Sequence, residues 1–217
     1  MTLPSPSKPS SGARRLLLAG ADLPAGSRGA DHSSYARALL SELAARFGMN
    51  CPTVHWSARG RGKPFHPDLP PGWFANISHK QGRVIVGLAE VRFGLDLECA
   101  VQRHATRLDA LVEMLPEPHI RQWIRRHDHS QAAFYQAWTL YESLFKLAAH
   151  TDSPAQNVFS LRLQSLDKPG RKPMVWQGGD WTLAIVSDAG LELSPDPALL
   201  FPELRRVSIA IQNLTQK

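Results

Sequence analysis

The sequence predicts an α+β protein built as two similar lobes, each a small, mainly antiparallel sheet packed against a long helix. Three observations lead there. Two segments, 31–47 and 131–149, carry apolar residues at helical spacing. Short apolar or alternating runs suited to strands surround them. In each half the order is strand, helix, then strands, and the halves join near residues 89–100. The boundaries expected are a Pro- and Ser-rich disordered tail over 1–13, one lobe over 14–90 and a second over 91–217.

Taken in order, RRLLLA (14–19) reads as a first strand. The helix over 31–47 follows, with Leu39, Leu40, Leu43 and Phe47 on one side, Asp31 or Ser33 as cap, and Gly48 closing it. Residues 53–57 read as a short strand. The Gly- and Pro-dense stretch GRGKPFHPDLPPGW reads as a loop, and the segment after it as irregular chain. RVIVGLA (83–89) is a buried strand and RFGLDLE (92–98) the next. Helices are expected over 106–115 and 117–128, the latter with Pro118 in its first turn. Ser130 is placed to cap the long helix. Strands are expected at 157–163, 173–177, 181–187 and 206–212.

The chain has 217 residues and a formal net charge of +6. A basic surface suits an acidic partner, whether nucleic acid, lipid, phosphate-rich cofactor or acidic protein. An interleaved aromatic and basic surface pattern is missing, which argues against nucleic acid. No apolar run approaches the ~20 residues that span a bilayer. The run Leu16-Leu17-Leu18 after Arg14-Arg15 is too short for a secretion signal and ends at Asp22. Cys51 and Cys99 lack metal-motif and redox-motif spacing and read as reduced thiols of a cytoplasmic protein. Without secretion, the sequon Asn76-Ile77-Ser78 carries no weight.

Three groups of residues could do chemistry. Side chains alternate along a strand, so Phe93, Leu95 and Leu97 share one face while Asp96 and Glu98 share the other. Two adjacent carboxylates repel unless a cation joins them, and hard oxygen ligands suit magnesium. The alternative is a solvated acidic strand. On the long helix, Phe134, Trp138, Tyr141, Phe145 and Ala148 form an apolar stripe. Tyr135, Thr139, Glu142 and Lys146 run beside it, with Glu142 and Lys146 one turn apart. Alone these two read equally as a surface ion pair. Lys63, Ser78, His79 and Lys80 offer donors and positive charge able to hold phosphates.

In order along the chain stand Gly62-Lys63-Pro64, Asn76-Ile77-Ser78-His79, Gly94-x-Asp96-x-Glu98, and Trp138-Thr139 with Glu142 and Lys146. Their order and separations resemble the 4'-phosphopantetheinyl transferases, in particular the longer two-lobed, surfactin-synthetase-activating type that serves peptide and polyketide synthases. The similarity spans roughly residues 31–187. It implies transfer of 4'-phosphopantetheine from coenzyme A to a serine of an apo acyl or peptidyl carrier protein, releasing adenosine 3',5'-bisphosphate. It further implies an active site at the lobe interface, with magnesium on Asp96, Glu98 and Glu142, and with Glu142 and Lys146 catalytic. Glu142 would be the base for the acceptor serine. Lys146 would offset charge on the phosphate. His79 and Ser78, together with Lys80, would contact coenzyme A phosphates, and Lys63 and Pro64 would line the adenosine side. A monomer acting without nucleic acid or membrane is expected.

The chain also departs from that pattern. Tyr141 stands where the family has a lysine before the helix glutamate, and Lys80 where it has a serine. The basic cluster of the N-terminal lobe is replaced by LAGADLPAGSRGADHSSYAR, where Arg28, His32 or Arg37 would have to substitute. LAAHTDSPAQ replaces a Gly-rich turn after Lys146. A relative that binds coenzyme A or a carrier without transfer is the alternative.

Overall fold

The computed structural model describes residues 14–60 and 62–208. The expected tail over 1–13 and the end of the strand expected at 206–212 lie outside the described residues. The protein is α+β; the described residues form two four-stranded sheets and several helices.

Strands β1 (Arg15–Asp22), β2 (Phe74–Lys80), β3 (Arg83–Ala89) and β7 (Glu192–Ser194) make the first sheet, in the order β2-β3-β1-β7. Strands β4 (Phe93–Cys99), β5 (Lys172–Gly178), β6 (Trp181–Ser187) and β8 (Arg205–Val207) make the second, in the order β4-β6-β5-β8. Pairing is antiparallel throughout except for β1 with β7. Helix α1 (Gly29–Ala45) covers the first sheet and helix α5 (Ser130–Ala148) the second.

The period-2 rule explains the layering. On β1 and β3, Leu17, Val84, Val86 and Leu88 face α1 and meet Leu39, Leu40 and Leu43. The intervening Leu16, Leu18 and Ile85 join Phe93, Leu95 and Leu97 of β4 and Leu183 and Ile185 of β6. The sheets therefore share a core between them, and Ala184 and Val186 on the far side of β6 pack against α5. Strands covered on both faces read as unbroken apolar runs, as RVIVGLA does.

Gly94 fixes how close α5 can come. A Cβ there would lie 1.7 Å from Ser143 O and 2.7 Å from Leu147 N. Only glycine lets the helix sit so low on β4, which brings Glu142 and Lys146 beside Asp96 and Glu98.

Several expected elements differ. The segment expected to be irregular is β2, paired with β3 from Phe74 opposite Ala89 to Lys80 opposite Arg83. Gln81 and Gly82, with φ of 44° and 83°, make the tight turn between them. Residues 53–55 form a 3-10 turn, not a strand; buried Trp56, whose indole donates to Ser41 Oγ at 3.0 Å, pins this segment by a side chain in place of a ladder. The strand expected at 157–163 is 3-10 turn as well, started by Asn157, whose side chain accepts from Ser160 N at 3.0 Å. The helix expected at 106–115 is α3 (Leu108–Glu113), and an additional short helix, α2 (Gln102–Ala105), precedes it; α4 is Pro118–Arg126. Ser130 is the first residue of α5, one place inside the expected cap. Arg28 occupies the cap position of α1, and Asp31 serves it from inside by accepting from Arg28 N at 2.7 Å. Strand β7 and helix α6 (Pro197–Leu200) are additions to the expected elements. The buried face of α5 is wider than a stripe: Tyr135, Thr139, Leu140, Leu144 and Leu147 are buried with Phe134 and Tyr141, while Trp138 and Phe145 sit at its rim. A helix clasped by a sheet on one side and by α4 and the 158–167 turns on the other buries more than one line of residues. Among the described residues, no helix is long and apolar enough to cross a membrane. Cys51 and Cys99 are free and buried.

Candidate active site

The edge strand of each sheet, β2 of the first and β4 of the second, lie side by side, and α5 rests on β4. A cleft of about 610 Å³ opens along this seam. It brings together Lys63, Pro64, Ser78, His79, Asp96, Glu98, Glu142 and Lys146, which all line it, as does Lys80.

One pole of the cleft is acidic. Asp96 is 5% exposed. Its Oδ1 accepts from Ser78 Oγ at 2.9 Å and from Lys146 Nζ at 2.7 Å. Its Oδ2 is buried and has no partner, a condition shared among the described residues only with Trp176 Nε1. Glu98 pairs with Lys80 at 2.6 Å. Burial, and then the Asp96 charge, raise the Glu98 pKa above the ordinary carboxylate value. Glu142 is raised further, to about 7, first by burial and then by Asp96, with Lys146 opposing. Three carboxylates that disfavour one another's charge, one with a bare buried oxygen, form a donor set that fits a hard divalent cation.

The other pole is basic. The His79 pKa is lowered by burial first and then by surrounding positive groups, His32, Arg59, Lys146 and Arg37. The His32 and His79 rings meet edge-on, 5.5 Å apart. Arg37 is held by α1 and the 57–65 loop: its Nε donates to Ser57 O at 2.7 Å and an Nη to Ser33 O at 2.7 Å. Arg59 also lines the cleft. Of the three residues that could replace the missing basic cluster, Arg37 reaches the cleft wall and His32 backs His79, whereas Arg28 caps α1. Arg59 has no signal in the sequence because no periodicity marks a residue in a Gly-rich loop; only packing brings it to Gly29 at the start of α1.

Tyr141 is away from the cleft. It is fully buried, and its hydroxyl donates to Glu117 Oε2 at 2.6 Å. Glu117 also accepts from Leu163 N at 2.5 Å and Gln164 N at 3.1 Å. Tyr141 is thus part of the anchor that ties the 158–167 turns to α5. Asn76 is buried too: its Nδ2 donates to Phe93 O at 2.6 Å and to His150 Nε2 at 3.0 Å, closing the seam behind the cleft.

Among the described residues, the group whose three possible ligand atoms lie within 4.8 Å of one another is not the cleft carboxylates but His55, His66 and Asp68. Both ring nitrogens of His66 are already used, Nε2 with Pro52 O at 3.0 Å and Nδ1 with Asp68 N at 3.1 Å. That leaves the trio one ligand short.

No protein-family model matches the chain. Over 128 residues it is 29% identical to the 4'-phosphopantetheinyl transferase ffp of Bacillus subtilis, a match covering 58% of this chain and 54% of that protein. The chain thus spans about half the length of the curated relative it matches.

Proposed function

We propose that the protein is a phosphopantetheinyl transferase of the longer two-lobed type, moving 4'-phosphopantetheine from coenzyme A to a serine of an acyl or peptidyl carrier protein. The observation that carries this reading is the mixed lining of one cleft: Asp96, Glu98 and Glu142 act on one another's charge, and His79 stands among Arg37, Arg59 and His32, with Lys63 also on the wall. A pyrophosphate bearing a divalent cation suits the first, and a further phosphate suits the second. The similarity to the Bacillus subtilis transferase supports the same superfamily. On this reading the two sheet-and-helix units are the two lobes.

Asp96, Glu98 and Glu142 would hold magnesium, which supplies Lewis-acid polarisation of the pyrophosphate when bound. The chain's own groups do the rest. Lys63, with Arg37 and Arg59, binds the nucleotide end, and His79 stands at that pole as a neutral ring. The carrier serine Oγ attacks the phosphorus on the pantetheine side of the pyrophosphate. Its P–O bond forms as the bond to the adenosine bisphosphate breaks. Glu142, which lines the cleft beside Lys146, would take the proton of the attacking serine. Lys146, one turn along, faces the charge growing on the leaving oxygens.

The test is to incubate the full chain with coenzyme A, Mg²⁺ and an apo acyl or apo peptidyl carrier protein, then weigh the carrier by mass spectrometry. A gain of one phosphopantetheine group is expected. Failure with both carriers, together with no binding of coenzyme A by calorimetry, would overturn the reading.

A further inference from the structure

Ser78 lines the cleft and by composition could donate to a phosphate. Its hydrogen-bonding capacity is spent elsewhere. A serine hydroxyl has one proton to give. In Ser78 that proton goes to Asp96 Oδ1 at 2.9 Å, and the oxygen accepts from Leu97 N at 3.0 Å. Ser78 is 5% exposed. A hydroxyl whose only proton rests on a carboxylate has none left for an anion.

The same bonds place Asp96. Leu97 N lies on β4, an edge strand, and an edge N–H needs a partner. Ser78 Oγ on β2 supplies it and so stitches the two sheets together. Lys146 Nζ works in parallel, donating to Ile77 O of β2 at 3.1 Å and to Asp96 Oδ1 at 2.7 Å. Oδ1 thus receives two donors, one from each side of the seam, while buried Oδ2 receives none. The carboxylate plane is fixed, and the oxygen left over is the one a cation can take.

We infer that Ser78 is a positioning residue for a divalent cation at Asp96 and makes no contact with the anionic substrate. The inference rests on the cation site of the proposed function. Partners that orient a ligating carboxylate generally matter to metal affinity by ~10–100-fold. An effect of that size is expected here.

The experiment titrates Mn²⁺ into the full chain, with and without saturating coenzyme A, following free Mn²⁺ by electron paramagnetic resonance. Wild type is compared with Ser78→Ala and Ser78→Thr, and melting temperature and the KM for coenzyme A are measured on each. Ser78→Ala is expected to bind Mn²⁺ ~10–100-fold more weakly, and Ser78→Thr, which keeps the hydroxyl, within about threefold of wild type. A folded Ser78→Ala protein that binds Mn²⁺ like wild type, with a raised KM for coenzyme A, would overturn the inference and leave the cation site standing. Equal weakening in Ala and Thr would also overturn it, since the hydroxyl would then not be the cause. Should Ser78→Ala fail to fold, the near-isosteric Ser78→Cys, a weaker donor, is judged by the same Mn²⁺ criterion. Wild type that binds no Mn²⁺ in either condition would remove the cation site itself.

Discussion

Replacing Tyr141 by Phe isolates one buried hydroxyl. The ring stays, so the apolar packing of a fully buried side chain is kept. What is lost is the 2.6 Å bond to Glu117 Oε2. Glu117 is itself buried and keeps two backbone donors, Leu163 N on the same oxygen and Gln164 N on the other. Hydrogen bonds to charged groups contribute about 1.5–3 kcal/mol, and here the carboxylate is left under-satisfied but not stranded, so about 2 kcal/mol is expected. For a chain of this size each kcal/mol moves the melting temperature by roughly 2–4 °C, giving a fall of roughly 4–8 °C. Tyr141→Ala adds loss of the ring and is expected to cost about 3–5 kcal/mol from packing alone. Urea unfolding and thermal melts read the stability, and calorimetry with coenzyme A reads the site. The pair Tyr141→Phe and Glu117→Gln should be strongly non-additive, because both remove the same bond. An unchanged melting temperature combined with weaker coenzyme A binding in Tyr141→Phe would refute the anchor and return the residue to the cleft.

Gly94→Ala should unseat α5, since a Cβ would collide with the Ser143 carbonyl; a loss of at least ~3 kcal/mol is expected, and a near-normal melt would contradict the close approach. His150 should make the fold sensitive to mild acid. Burial holds its folded pKa down at about 4, so above pH ~6.5 neither state is protonated and it has no effect. Below that the unfolded chain takes a proton that the native state refuses, and stability should fall by about 2 kcal/mol between pH 7 and pH 5. Urea titrations of wild type and His150→Gln at the two pH values read it, and an identical pH slope in both proteins would count against the buried neutral ring. Arg59→Ala should raise the KM for coenzyme A about tenfold, on the scale of a lost charge-assisted bond, with little change in melting; an unaltered KM would remove Arg59 from the nucleotide pole. Helix α4 carries Arg121, Arg125 and Arg126, a basic surface of the kind that attracts an acidic partner such as a carrier protein, although Arg121 and Arg125 both pair with Glu113. Reversing both to Glu should raise the KM for the carrier chiefly at low salt, where attraction reaches beyond ~10 Å; no change at low ionic strength would make the helix face a solvated one.

Much of the acidic pole is legible in the sequence itself. Alternation along Phe93–Glu98 separates Phe93, Leu95 and Leu97 from Asp96 and Glu98, and they do lie on opposite faces of β4. The spacing of Glu142 and Lys146 puts both on one side of α5. These are short-range consequences of backbone geometry, which repeats whatever the chain does elsewhere. The tertiary structure decided what such periodicity does not encode. Ser78 meets Asp96 across 18 positions, Lys146 meets Ile77 across 69, and Tyr141 meets Glu117 across 24. Arg59 reaches the basic pole from a loop without pattern. Strand β7, only three residues long, crosses back to pair with β1. Whether a hydroxyl faces a phosphate or a carboxylate, and whether a tyrosine touches substrate or an anchor, depends on the few ångströms between elements. Packing sets that distance, here through the glycine that lets α5 settle onto β4.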